Sequence, residues 1–135
     1  MVSARSRILY SEADENGISK YWYAETLWTA ATGAPIVEIE VASIAILDEV
    51  VWFDSAKNIL PTIRNIVERM QTIQESDLTF PIIKIRDGDI LDGAHRIAKA
   101  YINKQKFIRA ALLEKYPVHD GIVKQGQVAP CPFKK

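Results

Sequence analysis

Asp92, Gly93, Ala94, His95 and Arg96 stand in a row inside the segment RDGDILDGAHRIAKA, residues 86–100. They separate a short apolar run from a segment with helical spacing. Residues of these types at such a junction can do phosphate chemistry. Where a strand passes into a helix across a glycine, the first backbone N–H groups of the helix lack intrahelical acceptors. Together with the helix dipole they attract an anion, commonly a phosphate. Gly93 would let a ligand approach the backbone closely, and the Ala94 backbone would join it. A positive side chain in a first turn is unfavourable for the helix itself, so His95 and Arg96 make sense there if a bound phosphate compensates. A guanidinium can hold two phosphate oxygens at once. Asp92 is the natural N-cap, and a carboxylate beside a phosphate can also hold Mg²⁺ or accept a hydroxyl proton. Each residue has an ordinary reading too: Asp92 as a cap only, His95 as a structural histidine, Arg96 as a solvated charge. The specificity lies in the four types together, after a strand and opening a helix.

The neighbouring elements must position this box. FPIIKI reads as a short apolar strand, RDGD as the Asp-Gly turn of a hairpin, and ILD as its return. From Gly93 the period becomes helical, with Ile97, Ala98, Tyr101 and Ile102 on one face, and FIRAALLE reads as a further strand. Upstream, Ser19 can cap a helix through about Thr32, carrying Tyr23, Leu27, Trp28 and Ala31, ended by Gly33 and Pro35. IVEIEV alternates as a strand, and ASIAILDEVVWF is ambiguous between a helical turn and a loop. Pro61 can be the first residue of a helix whose Ile63, Ile66, Val67, Met70 and Ile73 recur at spacings of three and four, to about Gln74. The expected organisation is a lead-in over residues 1–17, one α+β domain over 18–115, and a tail over 116–135 that wraps the surface or is disordered.

The 135 residues suffice for one domain with a core. Seventeen basic and seventeen acidic side chains give zero formal charge, which argues against a general DNA-coating role. A single cysteine, Cys131, allows no internal disulfide and fits a reducing, cytoplasmic setting. No signal peptide or membrane span is expected, and no Cys/His spacing suggests zinc. Trp22 and Trp28 read as packing. Trp52 and Phe53 could wall a base pocket or belong to the core. Lys99, Lys104, Lys106 and Arg109 make the stretch after the box basic, most simply as solvated charge. Arg64, in PTIR at another helix start, is a candidate second phosphate contact. His119-Asp120 could mimic a catalytic pair but has no nucleophile with it.

PIIKIRDGDILDGAHRIAKAYINKQKFIRAALLE, together with YWYAETLW, LDEVVWF and PTIRNIVERMQTIQESDLTFPII, resembles the core of the ParB/sulfiredoxin superfamily over roughly residues 21–114. It is similar to small bacterial ParB-like proteins with an Asp-Gly-x-His-Arg box. The resemblance implies a compact α+β core, a small mixed sheet with helices packed around it, and a box that binds nucleotide phosphates. Within the superfamily, sulfiredoxins carry their reactive cysteine inside the box, where this chain has Ala94, so sulfinic acid repair is not expected. Chromosome-partition ParB proteins bind CTP through a Gly-Glu-Arg-Arg box and add a helix-turn-helix domain; this chain has His95 in place of the first Arg, so centromere binding is not expected. Free serine kinases have an Asp-Gly-His-His-Arg box and an essential Glu after the first strand; LDEVVW occupies the matching region, and Glu49 matches that Glu best. A carboxylate there can deprotonate an acceptor hydroxyl, with Asp48 assisting or merely solvated. The ordinary reading of Glu49 is an exposed loop acid. The resemblance thus implies a nucleotide ligand (ATP, ADP or CTP) with Mg²⁺ on Asp92. Gly93, Ala94, His95, Arg96 and Arg64 would bind phosphate, and Glu49 and Asp92 would serve turnover as a phosphotransferase or nucleotide hydrolase. The alternatives are a ParB-like DNA-associated or nuclease-type protein, and a nucleotide-binding module without catalysis.

Overall fold

Tyr21, Trp22 and Tyr23 end a strand rather than fill a helix. The computed structural model describes residues 8–124 and 127–130. In it β1 (Ile8–Tyr10), β2 (Ile18–Tyr23) and β7 (Gly121–Lys124) form a sheet of order β1-β2-β7, antiparallel throughout. The helix expected from Ser19 therefore begins only at α1 (Ala24–Ala31). Ile18–Tyr23 is rich in aromatic and β-branched side chains, which favour a pleated, half-buried surface, and it finds partners on both edges. The lead-in contributes β1, and the tail contributes β7. Arg5, Arg7, Cys131 and Pro132 lie outside the described residues.

A second sheet has the order β3-β6-β4-β5, from β3 (Ile36–Glu40), β6 (Phe107–Leu113), β4 (Ile82–Ile85) and β5 (Ile90–Asp92). The protein is thus mixed α+β, with three α-helices and two sheets among the described residues. β3 runs antiparallel to β6 from Ile36↔Ala111 to Glu40↔Phe107. The β4–β5 hairpin forms as its Asp-Gly turn predicts, with Asp87 taking the left-handed φ of 58°. ASIAILDEVVWF resolves into two 3₁₀ turns, Val41–Ser43 and Ala45–Asp48.

Contacts divide the chain into two units. The first comprises Ile36–Ile82 and Gly93–Ala111; the second comprises Ile83–Asp92 with the described residues before Ile36 and after Ala111. In the first, α2 (Ile63–Glu75) packs on α3 (Ala94–Ile102), and both 3₁₀ turns pack on α3 as well. α2 starts at Ile63 rather than Pro61: Thr62 is its N-cap, the hydroxyl accepting the Asn65 N–H at 3.1 Å, which places the proline before the cap. The buried side of α3 is Ile97 and Ala100, whereas Tyr101 and Ile102 are exposed, so the expected apolar face is rotated. Val41, Ile44, Ile73, Ile82 and Ile108 are also buried in this unit.

The second unit has its own cluster of Trp22, Leu27, Ile83, Ile85, Leu91 and Leu113. Trp22 is buried and donates its indole N–H to the Pro117 carbonyl at 2.8 Å. Asp120 accepts from the Tyr23 N–H and the Thr26 hydroxyl, both at 2.8 Å, and so ties the tail to the start of α1. That gives Asp120 a structural role, and His119 sits edge-on to Trp22.

Candidate functional site

The box is built where β5 gives way to α3. Gly93, not Asp92, occupies the N-cap position, at φ 127°. A Cβ on Gly93 would stand 2.4 Å from Ile82 Cγ2 and 2.7 Å from Ile82 Cβ. The glycine is therefore required by the close passage of the Ile82 side chain and by a backbone conformation that L residues rarely adopt. That is an internal reason for Gly93, independent of any ligand.

Ala94, His95 and Arg96 form the first turn of α3, half-buried. His95 lies flat against Trp52, with ring centroids 4.9 Å apart and planes at 17°. Arg69, on α2, brings Nη1 to 3.3 Å from His95 Nε2, and its guanidinium carbon lies 6.0 Å from the Trp52 ring centre. A guanidinium only donates, so a hydrogen bond between the two requires Nε2 as the acceptor and the Nδ1–H tautomer of His95. Trp52 thus walls the box through His95. Arg69 has no signal in the sequence, because only the packing of α2 on α3 brings it to the histidine.

Arg96 turns its Nη1 toward the Phe80 carbonyl at 3.5 Å. Two cations read as solvated do the same to the end of α2 and the connector over residues 76–81 that follows it. Lys99 donates to the carbonyls of Gln74 at 2.9 Å and Ser76 at 2.7 Å, and Arg109 donates to that of Thr79. Lys99 so satisfies carbonyls at the C-terminal end of α2, where a cation also complements the helix dipole. Within the connector the Thr79 hydroxyl and N–H both donate to Asp77. They hold its carboxyl below the usual carboxylate range, with smaller contributions from Lys99 and Arg96.

Glu49 is exposed and closes the turn Ala45–Asp48, which packs on α3; Asp48 is exposed too. The first unit thus contains both Glu49 and Gly93–Arg96, with the turn before Glu49 packed on α3. Arg64 also belongs to this unit, on α2. It is exposed and lies five residues before Arg69, about 140° around the helix from it. Asp92 belongs to the second unit, at the end of β5, where it accepts the Trp28 indole N–H at 3.0 Å. That bond gives Trp28 a polar partner besides packing.

Mg²⁺ is usually held by one or two carboxylates plus ligand phosphates. Among the described residues no group of three or more His, Cys, Asp or Glu is placed to hold a metal ion. Among the described residues no helix is long and apolar enough to cross a membrane. In comparisons of the chain with protein-family models, with curated proteins and with solved structures, nothing matches.

Proposed function

We propose that the chain is a nucleotide-phosphate-binding domain of the ParB/sulfiredoxin type, with its ligand at the start of α3. The observation that carries this reading is Arg69, which stands 3.3 Å from His95. It adds a second guanidinium to a junction that already holds Arg96 and the first N–H groups of a helix. His95, braced by Trp52, is pre-organised beside it, which lowers the ordering cost of binding. Arg64 is a more remote contact on this reading. Bound Mg²⁺ would neutralise phosphate charge, with Asp92 as its protein ligand. Glu49 would accept the proton of an acceptor hydroxyl, making the chain a phosphotransferase or, with water, a nucleotide hydrolase.

Calorimetric titration of ATP, ADP, CTP and GTP, with and without Mg²⁺, tests the reading. Arg69→Ala and Arg96→Ala should each lose on the order of 2 kcal/mol of affinity, as expected for charge-assisted contacts. No binding by the wild type, or full affinity in both variants, would refute it.

A second reading is favoured by the Arg96–Phe80 contact. Together with Lys99 and Arg109, Arg96 then fastens the 76–81 connector, and the box is architectural. On that reading Arg96→Ala lowers the melting temperature and leaves nucleotide titrations unchanged. The DNA-associated reading has no such contact behind it and predicts salt-dependent DNA affinity.

A further inference from the structure

The first sheet has two unlike faces. Leu9 and Trp22, paired across β1 and β2, turn to the core cluster of the second unit. The opposite face carries Tyr10 and Tyr21, also paired, and Tyr23 two residues further on. Their rings touch in series. Tyr10 and Tyr21 lie 6.5 Å apart between centroids, and Tyr21 and Tyr23 meet edge to face at 5.4 Å. β7 makes room for this row, since a Cβ on Gly121, the partner of Tyr21, would run into the Tyr21 hydroxyl. Residues 127–130 lie across the row. The Ala129 N–H donates to the Tyr10 hydroxyl at 3.1 Å, and the Tyr23 hydroxyl donates to the Pro130 carbonyl at 2.7 Å. Tyr21, in contact with both rings, is 7% exposed although it faces away from the core cluster. Ala129 is 8% exposed, whereas Val128 is 82% exposed and Gln127 and Pro130 are exposed as well.

We propose that the tyrosine row is a docking surface for an extended peptide of a partner protein that presents a small residue followed by proline, with residues 127–130 as its built-in occupant. What fastens this segment to the face is a methyl group and hydrogen bonds from its backbone to phenols. Any extended segment with a small residue before a proline offers the same groups. Proline has no N–H, so its carbonyl is the one backbone group there that needs a partner, and a phenol donor suits it. Aromatic surfaces with a polar edge are a recurring way of holding proline-containing extended segments. A segment with so little buried side chain lies at the low end of local stability and opens ahead of the fold. Its tether gives it an effective concentration on the order of millimolar, so a partner has to out-compete it and the face is gated.

The probe is a labelled peptide of residues 125–132, with Cys131 replaced by serine, titrated with the full chain and followed by fluorescence anisotropy. Ala129→Arg in the chain should expel the built-in segment, and this variant should bind the peptide about tenfold or more tighter than the wild type does. Adding Tyr23→Phe should weaken that binding about fivefold, the loss of one neutral hydrogen bond. A peptide carrying arginine in place of its alanine should not bind. Equal affinity in the wild type and Ala129→Arg would overturn the proposal. So would absence of binding by an Ala129→Arg chain that keeps the wild-type circular dichroism. If Ala129→Arg does not fold, the wild type at millimolar peptide decides: the Ala129 amide should exchange faster as the segment lifts off, and unchanged protection would overturn the proposal. A wild type that dimerises through exchanged tails, and no longer does so as Ala129→Arg, would give the face to a second copy instead.

Discussion

Trp52 and His95 stack face to face, 4.9 Å between ring centres, while Arg69 donates to the same imidazole from α2. The arrangement fixes a tautomer. We expect ¹⁵N chemical shifts at neutral pH to report His95 with its proton on Nδ1, and Arg69→Ala to remove that preference. Trp52→Ala should cost about 1 kcal/mol of stability beyond its lost area. A wild-type His95 protonated on Nε2 would contradict the geometry.

Gly93→Ala should destabilise the fold by about 3 kcal/mol or more, the combined scale of backbone strain and overpacking. Its φ of 127° and the 2.4 Å approach to Ile82 Cγ2 act together. Urea denaturation without any ligand measures this. A variant as stable as the wild type would show that the Ile82 contact relaxes freely.

Lys99→Met keeps the aliphatic stem but removes the donor that serves the Gln74 and Ser76 carbonyls. The expected loss is about 2 kcal/mol, with Lys99→Arg recovering part of it. Amide exchange should rise first in the last turn of α2. An unchanged thermal midpoint in Lys99→Met would leave Lys99 as a solvated charge.

Tyr116 has its acidity weakened, its pKa raised from 10.0 to about 12, by partial burial first and then by its hydrogen bond and repulsion with Asp89. The folded state therefore keeps the phenolic proton longer than the unfolded chain. The stability this contributes is fully present below pH 10 and is lost as pH rises toward 12. Tyr116→Phe should abolish that part of the alkaline decline, and an absorbance titration should show one tyrosine ionising late. A decline of equal steepness in Tyr116→Phe would place its cause elsewhere.

Sequence reading reaches furthest where the determinants are local. The helix α2, the Asp-Gly turn of the hairpin and the strand β3 all form as read, although only Ile73 of the periodic apolar residues of α2 is buried and β3 shows no alternation of burial. It fails where the partner is remote. Tyr23, Leu27 and Trp28 have genuine helical spacing, but Ser19–Tyr23 is claimed by strands at residues 8–10 and 121–124. Only the tertiary pairing overrides the local signal. At the site the box and its helix start were legible, but not the reason for Gly93, which lies in Ile82. Arg69 and the work of Lys99 were hidden because both depend on how α2 packs on α3. No local pattern encodes the carbonyls left open at the end of α2.

The pairing of β2 with β7 also bears on how the protein is made. Trp22 finds its acceptor at Pro117, 95 residues later. At a synthesis rate of about 5–20 residues per second, that strand waits on the order of 5–20 s after leaving the ribosome before its partner exists. Through that interval Tyr21 has no β7 to pair with and Trp22 has no Pro117 carbonyl, although both side chains are buried in the finished fold. The unit of Ile36–Ile82 and Gly93–Ala111 is complete earlier, so the box is synthesised and can close while the first sheet is still unfinished. A nascent chain that has emerged from the ribosome as far as about residue 115 should therefore hold a protease-resistant α2–α3 region and a protease-sensitive β2.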